Sequence, residues 1–140
     1  MPAPTPRLRP SHYQHLAALR QALRRFLRFS QEAAGTAGLT PQQHQALLAI
    51  KGFPGGGDIS VGELAARLHL QPHSAVGLVD RLAQRQLVRR VRSSRDRRRV
   101  HLQLTARGER VIGRLSAVHL QELRQSGVEL RRLLKSITAD

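Results

Sequence analysis

Seven arginines fall within the eleven residues from Arg89 to Arg99, in the stretch RRVRSSRDRRRV, with Asp96 alone among them. Each guanidinium is a permanently charged planar fork that matches phosphate oxygens or a guanine edge two bonds at a time, so the chemistry on offer is anion recognition. A disordered basic tail would continue polar. Instead VHLQLT follows, where Val100, Leu102 and Leu104 alternate with Arg99, His101 and Gln103, the period of two that marks a half-buried strand. The arginines are therefore expected in and just before a tight reversal between two short strands.

The elements that position this hairpin are read from the rest of the 140 residues, one domain's worth of chain (1–140). Ser11 with Gln14, Thr40 with Gln43 and Ser60 with Glu63 each have the spacing of a capping box, and Pro41 suits a first helical position. After Ser11, the residues Leu16, Leu19, Leu23, Phe26 and Leu27 share one helical face, with Arg20, Arg24, Arg25 and Arg28 largely off it, and Gly35 and Gly38 end that helix. A helix over roughly 41–51 buries Ala46, Leu47 and Ile50, and GFPGGGD is a loop.

A short helix over 61–68 with Leu64, Ala65 and Leu68 inward, a turn at HLQ, and a helix to about residue 85 with Val76, Val79, Leu82 and Ala83 inward give the helix-turn-helix layout. Thr105 caps a long helix from about 106 that carries Val111, Ile112, Leu115 and Val118, with a possible break at Gly127 before Leu130, Leu133, Leu134 and Ile137.

The formal net charge is +15, and 22 of the 24 basic residues are arginine, a skew that a genome-wide codon bias would also produce. Such charge opposes compactness unless a polyanion is the partner, and nucleic acid is the first candidate. Cysteine is absent, which removes disulfides and thiolate metal sites. No run approaches the roughly 20 apolar residues of a membrane span, so no membrane partner is expected. Residues 1–10 have four prolines and no apolar stretch, so they read as an arm rather than a signal peptide, and the cytoplasm is the expected compartment.

A helix-turn-helix followed at once by a basic hairpin is the winged-helix arrangement: a reading helix for the major groove and a thin arginine-tipped wing for the narrow minor groove. ISVGELAARLHL, SAVGLVDRLAQRQLVRR and RSSRDRRRVHLQLTARG together resemble the MarR-type bacterial transcriptional regulators, whose hallmark is a D-x-R wing followed by a strand ending in L-T-x-x-G, here Asp96, Arg98, Leu104, Thr105 and Gly108. The resemblance implies a mainly α winged-helix homodimer, with a DNA-binding lobe over 40–108 and dimerisation helices over 11–35 and 106–137. It further implies a repressor on pseudo-palindromic double-stranded DNA, nucleoid-associated when bound, that responds to a small phenolic or aromatic anion.

Carried over residue by residue, the resemblance sends Arg98 toward the minor groove and has Asp96 brace the wing by pairing with a nearby arginine; the alternative for Asp96 is a local turn former. Arg92, Arg95, Arg97 and Arg99 are candidate phosphate contacts. On the reading helix the DNA-facing candidates are Gln71, His73, Ser74, Gly77 and Arg81. Val76 is expected in the core, with a thymine methyl as its alternative partner. Gly77 leaves that face poor in hydrogen-bond donors and shifts weight onto the wing, and Gln86 stands where the family usually has glycine. Arg81 is open between a phosphate, Asp80 and a neighbouring subunit.

An enzyme is not expected: GGGD lacks the lysine and hydroxyl of a phosphate loop. No cofactor is expected. His12 with His15 and His69 with His73 have ligand-like separations, but neither has the cysteine or carboxylates that would complete a metal site. The competing reading is a basic binder of RNA or anionic surfaces without operator specificity, acting through LRQALRRFLRF, and charge reversal at Arg24 and Arg25 against loss of Arg98 separates the two.

Overall fold

Two of the three expected capping boxes are formed in full. Thr40 Oγ1 accepts from the Gln43 N–H at 3.1 Å while Gln43 Oε1 accepts from the Thr40 N–H at 3.1 Å, and Ser60 and Glu63 exchange the same pair of bonds at 3.1 and 3.2 Å. These caps start α2 (Pro41–Lys51) and α3 (Val61–Leu68). The third is not formed, because α1 (Pro10–Thr36) starts at Pro10, which leaves Ser11 inside the first turn. There His12 Nδ1, not a hydroxyl, takes the Arg9 N–H at 2.9 Å. Gly35 lies within α1, and the chain turns away at Gly38, where φ is +76°.

The computed structural model describes residues 1–55, 58–96 and 98–139. After α3 come α4 (Pro72–Gln84), an antiparallel pair β1 (Val88–Arg92) and β2 (Val100–Leu104), and α5 (Ala106–Thr138). Helix α5 runs through Gly127 without a break. The chain is mainly helical, with one two-stranded hairpin and long helices at both ends, the winged helix-turn-helix class expected above.

The chain divides into two compact units, 31–117 and 1–30 with 118–140. In the first, Leu47, Ile59, Leu64, Val79, Leu82, Leu87, Leu102 and Ile112 are fully buried. Each such side chain contributes about 1.5–3 kcal/mol relative to exposure, so this cluster fixes how α2, α3, α4 and the hairpin meet. Ile59 also adds a short third edge to the hairpin, accepting from the Leu102 N–H at 2.8 Å.

The second unit has a different balance. Among its described apolar residues, Ala22 and Leu133 are buried, whereas Leu16, Leu23, Leu27, Leu120, Leu123, Val128 and Leu134 are exposed, Val128 to 70%. Within it, Ser30 Oγ and His119 Nε2 lie 2.8 Å apart, the His119 ring stands edge-on to Phe26 and Phe29, and Arg25 pairs with Glu129 at 2.9 Å.

Candidate nucleic-acid interface

The turn between α3 and α4 is made by His69, Leu70 and Gln71. His69 takes the left-handed conformation at φ +54°, and the Leu70 N–H returns to the Ala65 carbonyl at 2.9 Å, which closes α3. Gln71 is extended and Pro72 opens α4 without a side-chain cap. Ala75, Leu78, Val79 and Leu82 then form the buried stripe. This corrects the expected stripe at two positions: Val76 is 44% exposed and Ala83 only half-buried, while Ala75 and Leu78 take the inward places.

At 100° per residue, His73, Gly77, Asp80 and Gln84 run down the centre of the outward face, with Val76 on one flank and Ser74 and Arg81 on the other. Gln71, His73, Ser74 and Arg81 are all exposed, and Gly77 is half-buried. Asp80 is held by Arg90 of β1 at 2.7 Å, and among the described residues it makes no bond to Arg81.

The hairpin register pairs Val88 with Leu104, Arg90 with Leu102 and Arg92 with Val100. Its tip is closed by the Ser93 N–H on the Arg99 carbonyl at 2.9 Å and the Arg99 N–H on the Asp96 carbonyl at 3.0 Å. The Asp96 carboxylate accepts the Arg98 backbone N–H at 3.0 Å. It therefore acts on the backbone as a turn former, the alternative expected for it, and among the described residues it pairs with no arginine side chain. Arg92, Arg95, Arg98 and Arg99 are exposed around this turn, and Arg97 lies outside the described residues. At the wing's root His101 Nε2 stands 3.5 Å from the Asp58 carboxylate and 3.3 Å from Gln103 Nε2.

The L-T-x-x-G segment joins wing to helix. Thr105 Oγ1 donates to the Gln86 carbonyl at 2.6 Å and accepts from the Gly108 N–H at 3.0 Å, so one hydroxyl caps α5 and ties down the turn that follows α4. A β-carbon at Gly108 would overlap the Leu87 carbonyl, which is why no side chain fits there. Gln86, at the position where glycine was expected, has φ +58°.

Long-range struts fix α4 further. Arg85 Nη1 donates to Gln43 Oε1 at 3.0 Å, and Arg107 Nη1 donates to the Arg85 carbonyl at 3.2 Å. Sequence reasoning missed Arg85, Asp80 with Arg90, and Asp58 with His101. Only Gln43 carried a local signal, its capping-box spacing. The result is an exposed helix face and an arginine-tipped hairpin held in one unit, an arrangement able to place cations and base-reading groups on a polyanion together.

A model of the MarR family matches residues 37–99 of this chain. The uncharacterized HTH-type transcriptional regulator YsmB of Bacillus subtilis is 30% identical over 103 residues, which span 71% of this chain and 68% of that protein. The HTH-type transcriptional repressor MdtR of the same organism is 35% identical over 72 residues, 51% of this chain and 44% of its own length. In fold, the chain is similar to a variant of MepR from S. aureus bound to an oligodeoxyribonucleotide. The TM-score is 0.68 at 17% identity, with 90% of this chain and 98% of that one covered.

Proposed function

The chain belongs to the MarR family of DNA-binding transcriptional regulators, and on that premise we propose that it represses transcription as a homodimer seated on a pseudo-palindromic operator. One observation carries the reading: Arg90 on β1 and Asp80 on α4 meet at 2.7 Å, so the reading helix and the arginine wing are presented as one piece. In the proposed complex α4 enters the major groove through Gln71, His73, Ser74, Gly77 and Arg81, while Arg98 approaches the minor groove and Arg92 and Arg95 meet phosphates. Arg97 keeps its place in this proposal from the sequence. Asp96 serves by holding the turn that presents Arg98.

The DNA-binding lobe is assigned to 40–108 and dimerisation to the helices over 11–35 and 106–137. The support for the dimer is the apolar surface of α1 and α5, where Leu16, Leu23, Leu27 and Leu134 remain exposed in the single chain. A two-fold pair of such surfaces buries them reciprocally and matches a palindromic site. Repression follows the similarity to MdtR. Control by a small phenolic or aromatic anion rests on family membership, with the net charge of +15 favouring an anion. The effector would act by favouring a lobe spacing that misses consecutive major grooves.

The competing surface-binder reading is weakened by Arg25, one of its two key cations, which is engaged by Glu129 at 2.9 Å. The two readings separate in a titration of full-length protein against the duplex upstream of its own gene. Arg98→Ala should weaken binding by about 1–3 kcal/mol and lower the salt slope by about one ion. Unchanged affinity in a folded variant would remove the wing assignment.

A further inference from the structure

Val76 is a branched apolar side chain left 44% exposed on the outward face of α4, although the same helix buries Ala75, Leu78, Val79 and Leu82. Beside it, Gly77 has no side chain, and a β-carbon built there would meet Arg81 Nη2 at 3.6 Å. Helical side chains lean toward the N-terminus and lie over the preceding turn, so the Arg81 guanidinium reclines across Gly77 onto the middle of the outward face. Its carboxylate neighbour Asp80 is occupied by Arg90. The absence of a side chain at 77, which from the sequence alone implies a face poor in donors, thus makes a seat that brings five N–H donors to the centre of that face.

We propose that Val76 and Arg81 form a two-residue reading unit for a T·A pair next to a G·C pair in the major groove. Val76 covers the thymine C5-methyl, and Arg81 donates to guanine O6 and N7. This inference rests on the DNA-binding reading above and names the base pairs for which α4 selects. The chemistry is complementary at each position: the thymine methyl is the apolar feature of the major groove, and the guanine edge offers two acceptors spaced for a planar fork. Gly77 is the positioning residue: a β-carbon there would only touch the guanidinium, at 3.6 Å, whereas a longer side chain would take its seat.

The test uses full-length protein and selection from a random duplex library, followed by binding to the selected site with single-atom-group changes in the DNA. The expected motif has thymine beside guanine in each half-site. Replacing that thymine by deoxyuridine, which removes only the methyl, should weaken the unmodified protein about three- to tenfold and leave V76S unaffected. Replacing the guanine by 7-deazaguanine should weaken the unmodified protein about five- to a hundredfold and leave R81A unaffected. G77L, which fills the seat, should behave as R81A does at the guanine while keeping the thymine preference. Thermal unfolding checks that each variant is folded, and all three positions lie on α4 outside its buried stripe. A selected motif lacking the T·A and G·C neighbours, or equal losses for variant and unmodified protein, overturns the inference and leaves the DNA-binding reading standing. Selection of no motif at all overturns both.

Discussion

Arg90 Nη2 and Asp80 Oδ1 lie 2.7 Å apart, joining the first strand of the wing to the outward face of α4. Both side chains are partly exposed, so the pair itself contributes little to stability. Asp80→Asn should change unfolding free energy by under about 1 kcal/mol. Its effect on DNA should be larger and of two signs. Removing a negative charge from the DNA-facing side raises affinity for random duplex, whereas loosening the wing from the helix lowers the preference for the operator. Competition binding with both duplexes measures the ratio, which should fall; an unchanged ratio would show that the pair does not set the wing's position.

Gly108 faces the Leu87 carbonyl at a distance no β-carbon tolerates, whereas Gly113, five residues further along α5, has nothing within 4 Å of the same position. Gly108→Ala should therefore destabilise the protein by about 1–3 kcal/mol, because the backbone between α4 and β1 must shift. Gly113→Ala should stabilise it by about 0.5–1 kcal/mol through helix propensity alone. Urea unfolding of the two variants compares opposite signs for the same substitution in one helix.

Gln86 pays the steric penalty of a left-handed backbone at φ +58°. Gln86→Gly should recover part of it, raising stability by about 0.5–1 kcal/mol once glycine's extra unfolded-state freedom is set against the relief. Thr105→Val keeps the shape but strands the Gln86 carbonyl and the Gly108 N–H, and should cost about 1–2 kcal/mol. Calorimetry that ranked the two variants the other way would contradict the assigned roles.

These examples mark what was legible in the chain. Caps at Thr40 and Ser60 were, because both bonds of a capping box span three residues and depend on nothing else. Ser11 has the same spacing, but Pro10 is already in helical geometry and His12 satisfies the Arg9 N–H, so a competing local arrangement prevails. The hairpin was legible from its alternation. Val76 was misplaced because a helix's apolar stripe is about 100° wide and a small residue such as Ala75 can close it as well as valine. Arg85 on Gln43, 42 residues away, left no trace in the sequence, since such a contact exists only once α2 and α4 pack. The sequence marks the hydroxyl of Thr105 as a cap, but not its second bond, to Gln86 nineteen residues earlier.

The exposed leucines of α1 and α5 lead to a prediction about assembly. Sedimentation equilibrium at micromolar protein should give two subunits, and Leu23→Glu combined with Leu27→Glu, both at exposed positions, should shift the protein to monomer. Loss of the dimer should also weaken operator binding while leaving the affinity for a half-site nearly unchanged. A folded unmodified protein that sediments as one subunit would remove the dimer from the account.

In the proposed function folded geometry, and not charge alone, selects the double-stranded target. The most direct test of this selection is fluorescence anisotropy of the full chain with the duplex upstream of its own gene and with a base-scrambled duplex of equal length, both at about 0.15 M salt, where non-specific phosphate binding is reduced. The native sequence should be preferred by about a thousandfold or more. Equal affinities for the two duplexes would contradict it.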